Sequence, residues 1–134
     1  MSAVSIRAAL ETALNAITPA IATSFENAPF TKPAVQIPFQ ECLILFASPN
    51  NIVYGSSHIE VGFMQVNLMY PLQAGSAAAQ ARAELIRSTF IRGASFTSGA
   101  VTVNINKTPE ITPAQVDGER FVIPVRVPFY SNIN

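Results

Sequence analysis

Few side chains in this chain are equipped for chemistry, and their spacing does not gather them. His58 is the only histidine. An imidazole titrates near neutral pH and can serve as a base or a metal ligand. No second histidine, cysteine pair or carboxylate pair accompanies it at ligand spacing. Cys42 lies within the apolar run Phe39–Ala47 with no basic neighbour to lower its pKa, so it reads as a small buried hydrophobe. Glu26 is a lone carboxylate, better read as a hydrogen-bonded or solvated surface acid than as a catalytic group. Arg82, Arg87 and Arg92 recur every five residues. They do not line up on one helical face and read as separate surface contacts. A glycine-rich phosphate loop, paired metal ligands and a nucleophile elbow are all missing from the sequence. These observations argue against an enzyme and imply no cofactor and no metal.

Composition narrows the function classes further. The chain has 134 residues, of which 49% are hydrophobic and 12% charged, with a formal net charge of zero. A typical soluble domain carries about 25% charged residues. A neutral surface cannot neutralise many phosphates, so sequence-specific nucleic-acid binding is not expected. With mean hydropathy at +0.32, apolar surface should remain once one core is filled. Such surface usually ends in a protein–protein contact, which points to a subunit that assembles. The apolar runs are short and interrupted, so no membrane span is expected. Arg7 and Glu11 interrupt the N-terminal apolar pattern, which does not read as a secretory signal. A single cysteine makes a reducing compartment the default. The length suits one domain spanning 1–134.

The stretch Glu60–Gly75 and the alanine-rich run after it organise the elements. Met64, Val66, Leu68 and Tyr70 share one side of an extended chain, opposite Val61, Phe63, Gln65, Asn67 and Met69. That alternation predicts a half-buried strand. Pro71 stops it, and Ser76 is placed to cap a helix running to about Ile91. Ala78, Ala81, Leu85, Ile86, Thr89 and Phe90 form the expected apolar stripe of that helix, and Gly93 fits its C-cap. Upstream, Ile6, Leu10, Ala13, Leu14 and Ile17 predict an amphipathic core-packing helix over about Ser5–Thr18. Ile21–Asn27 suits a short strand. Phe39–Ala47 and the Glu60 strand, joined through Ser48–His58, suit a long antiparallel hairpin. Ala94–Gly99 reads as a polar connection, and Ala100–Asn106 as a strand. Asp117-Gly118 marks a turn. Arg120–Tyr130 alternates Phe121, Ile123, Val125, Val127 and Phe129 against Arg120, Val122, Pro124, Arg126 and Pro128. Pro124 and Pro128 suggest a strand at a sheet edge, where a neighbouring subunit adds its own strand. The expected architecture is α+β: a mainly antiparallel four- or five-stranded sheet with both helices packed on one face.

Taken in order, these features resemble a known family. Phe25-Glu26-Asn27-Ala28-Pro29-Phe30, Gly62-x-x-Gln65-Val66 ending at Tyr70-Pro71, Gly75 before a helix, the Asp117-Gly118 turn and Pro124–Phe129 together resemble the phage tail-terminator-like proteins. The likeness runs from about Ile6 to Tyr130. A larger aromatic is often expected before the Glu-Asn pair; here Phe25 stands there. The resemblance implies a non-enzymatic virion protein of the tail or neck, assembled in the host cytoplasm. It implies a homo-oligomeric ring, usually hexameric, that caps the head-proximal end of the tail tube and stops tube polymerisation. Its partners would be the tail tube protein and a head-completion or neck protein, and the genome would pass through the ring without sequence-specific recognition.

Two other readings stand beside this one. A head–tail connector or tube subunit would share the fold. A small-molecule-binding or enzymatic α+β domain would need a pocket where polar groups converge near His58, Glu26 or Glu41. For the subunit contact, the final strand and the Ser48–His58 segment supply the candidates Tyr54, His58, Val125, Val127 and Phe129.

Overall fold

A computed structural model describes residues 2–18, 20–26, 28–34, 36–51, 55–73 and 75–133, with Ser2 described by its backbone alone. The elements run α1 (Ser2–Asn15), β1 (Ala22–Phe25), β2 (Phe39–Phe46), β3 (His58–Pro71) and α2 (Ala77–Thr89). They continue through β4 (Ser95–Ser98), β5 (Val101–Asn104), β6 (Glu110–Ile111), β7 (Gln115–Asp117) and β8 (Arg120–Ile133).

One sheet carries all eight of these strands, in the order β1-β2-β3-β8-β5-β4, with β6 and β7 also paired to β8. It is mixed and strongly curled, because β1 runs parallel to β2 while the other pairs are antiparallel. The expected four or five mainly antiparallel strands are therefore corrected to a larger mixed sheet. The additional strands β4, β6 and β7 are two to four residues long and polar or proline-flanked, so their own sequences carry little strand signal. The two helices do pack as layers against the sheet.

β3 and β8 form the spine, paired from His58↔Ile133 to Pro71↔Arg120. The alternation in both strands sorts their faces. Met64, Val66 and Leu68 face the same side as Val127, Val125 and Ile123, and all are buried. Ile6, Leu10 and Leu14 of α1 and Ala79, Ala83 and Ile86 of α2 complete this core. The small Ala79 and Ala83 let α2 approach closely. The buried stripe of α2 thus runs through Ala79, Arg82, Ala83 and Ile86 to Phe90, whereas Leu85 is exposed. Ile86 and Phe90 of the expected stripe are buried, while its Ala78, Ala81 and Leu85 are exposed, so the buried face is rotated toward Ala79, Arg82 and Ala83. Arg82 lies inside the helix–sheet interface instead of on the surface. Ser76 occupies the N-cap without a side-chain cap bond, and the helix closes at Phe90, short of Gly93.

β8 is not an edge strand. It lies between β3 on one side and β5, β6 and β7 on the other. Its prolines fall in the gaps between those short strands. Pro124 sits between the β7 pairing at Val122 and the β6 pairing at Val125. Its carbonyl points away from β3 and accepts from the Thr112 backbone N–H at 3.0 Å and Thr112 Oγ1 at 2.8 Å. Its nitrogen shares that direction, so no ladder bond to β3 is lost. Pro128 has the same parity and falls between the β6 pairing at Arg126 and the β5 pairing at Tyr130.

Gly62 is where the β2 and β3 backbones come closest to a glycine. A Cβ built there would lie inside contact distance of the Leu45 carbonyl oxygen and 3.1 Å from Phe46 Cα. Only a residue without Cβ allows the two backbones to approach this closely.

Candidate assembly face

The second face of the sheet, opposite the helices, is built by the other half of the same alternation. Register places Glu41, Asn67 and Pro124 in one row, Leu43, Gln65 and Arg126 in the next, and Leu45, Phe63 and Pro128 in the third. β2 is apolar on both faces, which puts Leu43 and Leu45 here at 36% and 47% exposure. Arg126 stacks on Phe63, its Cζ 5.4 Å from the ring centroid. Gln65 Nε2 donates to Asn67 Oδ1 at 2.9 Å. The β6–β7 segment rises along one side of this platform and bounds an open groove of about 540 Å³, lined by Glu41, Gln65, Asn67, Glu110, Asp117 and others.

One end of the face is closed. Residues 28–34 and 36–38 cross it, seating Phe30 against Phe39, Met69 and Val122. Arg120 clamps this strap. Its guanidinium donates to the carbonyls of Ile37 at 2.7 Å, Ala34 at 2.9 Å and Pro33 at 3.1 Å, and stacks on Phe39 with Cζ 4.9 Å from the centroid. Closure at one end leaves Leu43, Leu45 and Phe63 open at the other.

The residues singled out for chemistry do not meet on this face. His58 opens β3 and binds Ser56 O through Nδ1 at 3.1 Å and Glu60 Oε1 through Nε2 at 3.0 Å. These acceptors raise its pKa, the Ser56 carbonyl most of all. Glu41 lies across from Asn67, about 30 Å further along β3 at ~3.3 Å per residue. Glu26 has a structural task. β1 pairs with β2 only as far as Phe25↔Cys42, and Glu26 Oε1 then accepts the next free β2 donor, Ile44 N–H, at 2.7 Å. Arg7 of α1 donates to the same oxygen at 2.9 Å. The Ile44 bond and then Arg7 hold the Glu26 carboxyl below the usual carboxylate range. One side chain thus ties β1, β2 and α1 together. Burial pushes the Cys42 thiol up to about 12, which keeps it protonated. No cluster of metal-ligating side chains occurs among the described residues.

The contact candidates also separate. Tyr54 lies outside the described residues. Val125 and Val127 are fully buried and Phe129 is 1% exposed, all in the helix-side core. Phe129 packs edge-on against Phe46, with ring centroids 5.9 Å apart. The edge-strand argument that selected these three does not hold, because their strand is interior. Sequence reasoning missed the platform and the clamp. The platform had one visible signal, the apolar Leu43 and Leu45 on the side of β2 away from Cys42 and Ile44. The clamp had none, since Arg120 lies more than 80 residues from its acceptors.

The face offers an apolar strip, amides and carboxylates, without a nucleophile paired to a base. The molecule carrying it is a β-rich domain. A family model described as phage tail terminator protein matches residues 5–129, and the chain belongs to that family. It is a phage tail protein of a structural, non-enzymatic family. A solved structure of another protein has the same fold, with a TM-score of 0.81 at 24% identity, over 100% of this chain and 97% of that one. No curated protein matches.

Proposed function

We propose that this chain is the subunit of a hexameric ring that caps the head-proximal end of a phage tail tube. The ring stops tube polymerisation and presents a surface to a head-completion or neck protein. The observation that carries this reading is the partly open second face of the sheet, with Leu43 and Leu45 exposed beside the Arg126–Phe63 stack. A monomer gains nothing from leaving those side chains in water, at roughly 25 cal/mol per Å² of apolar area. Family membership supplies the setting in the tail. Closed point-group assembly is the usual way such a surface is covered without running on into a filament.

Tube assembly provides the test. Tail tube protein polymerised with and without the purified chain should give short, capped tubes when the chain is present, with rings at one end in negative stain. Tubes of unchanged length with bare ends would overturn the reading.

A further inference from the structure

For part of its length β2 is an edge of the sheet. Among the described residues it pairs only with β1 and β3. β1 reaches no further than Phe25↔Cys42, whereas β3 continues to Phe46↔Gly62. From Leu43 to Phe46 the outer side of β2 therefore faces no described strand. Alternation assigns its backbone groups. Ala47 N–H donates inward to Val61 O at 2.8 Å, so Ile44 and Phe46 turn their N–H and C=O groups outward. Leu43 and Leu45, which alternate with them, are exposed on the open face. Outward backbone groups beside apolar side chains form a template on which another chain can add a strand.

The first outward donor beyond β1 is already taken. Ile44 N–H is accepted by Glu26 Oε1 at 2.7 Å. Glu26 is the first residue after β1, so its carboxylate stands where the next strand acceptor would be. Arg7 of α1 donates to the same oxygen at 2.9 Å and fixes it there. An entering strand would have to displace a carboxylate that is both hydrogen-bonded and ion-paired. Its own carbonyl would then lie against a negative charge. Charged side chains at an edge are a means by which natural sheets resist such pairing.

We propose that Glu26 guards the β2 edge and keeps a second copy of this chain from adding its own β2 there. The excluded partner is the same edge. Two Leu43–Phe46 segments would pair antiparallel about a two-fold axis, each bringing identical outward groups and identical leucines. The tie that Glu26 makes among β1, β2 and α1 is thus also a barrier to misassembly. The guard is independent of the ring reading, which concerns the open face and not the edge.

Amide hydrogen exchange over a concentration series tests it with the full chain, with circular dichroism as the check on folding. In the wild type, Phe46 N–H should exchange at one rate at every concentration. In Glu26→Ala, Ile44 N–H should exchange about tenfold faster than wild type in dilute solution. Both amides should then become protected as concentration rises, as a dimer appears in sedimentation velocity. A purely structural role for Glu26 would speed exchange at Ile44 without concentration-dependent protection at Phe46. Arg7→Met leaves the carboxylate loosely held and should move the same amides in the same direction by less. A wild-type Phe46 amide that slows with concentration would reveal an edge already in use and overturn the guard. So would a Phe46 amide indifferent to concentration in Glu26→Ala, or in Arg7→Met should Glu26→Ala fail to fold.

Discussion

Replacing Gly62 by alanine tests the packing that shapes the whole face. The added Cβ falls inside contact distance of the Leu45 carbonyl oxygen and at 3.1 Å from Phe46 Cα, both backbone atoms. No side-chain rotation relieves this, so β2 and β3 must part locally. The next ladder bond, Ala47 N–H to Val61 O at 2.8 Å, lies beside the clash and would lengthen or break. A lost hydrogen bond costs about 1 kcal/mol net. Forcing an extra carbon into a packed site costs about 1–3 kcal/mol. Together they give about 2–4 kcal/mol of destabilisation. For a domain of this size, 1 kcal/mol corresponds to roughly 3–4 °C in Tm. Gly62→Ala should therefore melt about 6–16 °C below wild type when followed by circular dichroism. A fall of less than 2 °C would refute the close-approach argument and leave the glycine without a structural role.

Three further outcomes are expected. Val127→Ala should cost about 2 kcal/mol in urea unfolding, because Val127 is fully buried in the helix-side core; a change in oligomeric mass with unaltered stability would return it to a subunit contact. Arg120→Ala removes three carbonyl contacts and the stack on Phe39, so limited proteolysis between residues 28 and 37 should accelerate several-fold while the core stays protected. Glu26 has a folded-state pKa below its unfolded value of about 4.3. The stability it contributes is present above that value and lost as pH falls through the folded pKa. Glu26→Gln should accordingly be less stable than wild type at pH 7, and the gap should close on acidification; a gap that is constant with pH would contradict the assignment.

How far the sequence could be read depends on the range of the interactions involved. The strands β3 and β8 were legible because alternation is local: Met64, Val66 and Leu68, then Ile123, Val125 and Val127, each declare a face without reference to the rest of the chain, whereas the pairing of the two strands into a spine was not. The hairpin of β2 and β3 and the core role of Cys42 followed in the same way. β4, β6 and β7 were not legible, because two to four polar residues become a strand only when β5 or β8 supplies the ladder. The prolines misled for a related reason. A proline in a strand needs a place where its nitrogen meets no acceptor, and a sheet edge is one such place. A gap between successive short partners is another, and Pro124 and Pro128 use that one. The stripe of α2 was right at Ile86 and Phe90 and misjudged at Ala78, Ala81 and Leu85, because Arg82 is buried, which an apolar count cannot register. On the site, Glu26 reads as an isolated acid in sequence, since Arg7 lies 19 residues before it and Ile44 18 residues after it. The face itself needs the register of three strands before Leu43, Gln65 and Arg126 fall into line.

Native mass spectrometry of the purified chain, alone and mixed with tail tube protein, puts the assembly claim to the most direct trial. The account predicts one closed species at six times the 14.4 kDa chain mass, retained in the mixture on tube ends. A single 14.4 kDa species under both conditions, with Leu43 and Leu45 still open to solvent, would contradict it.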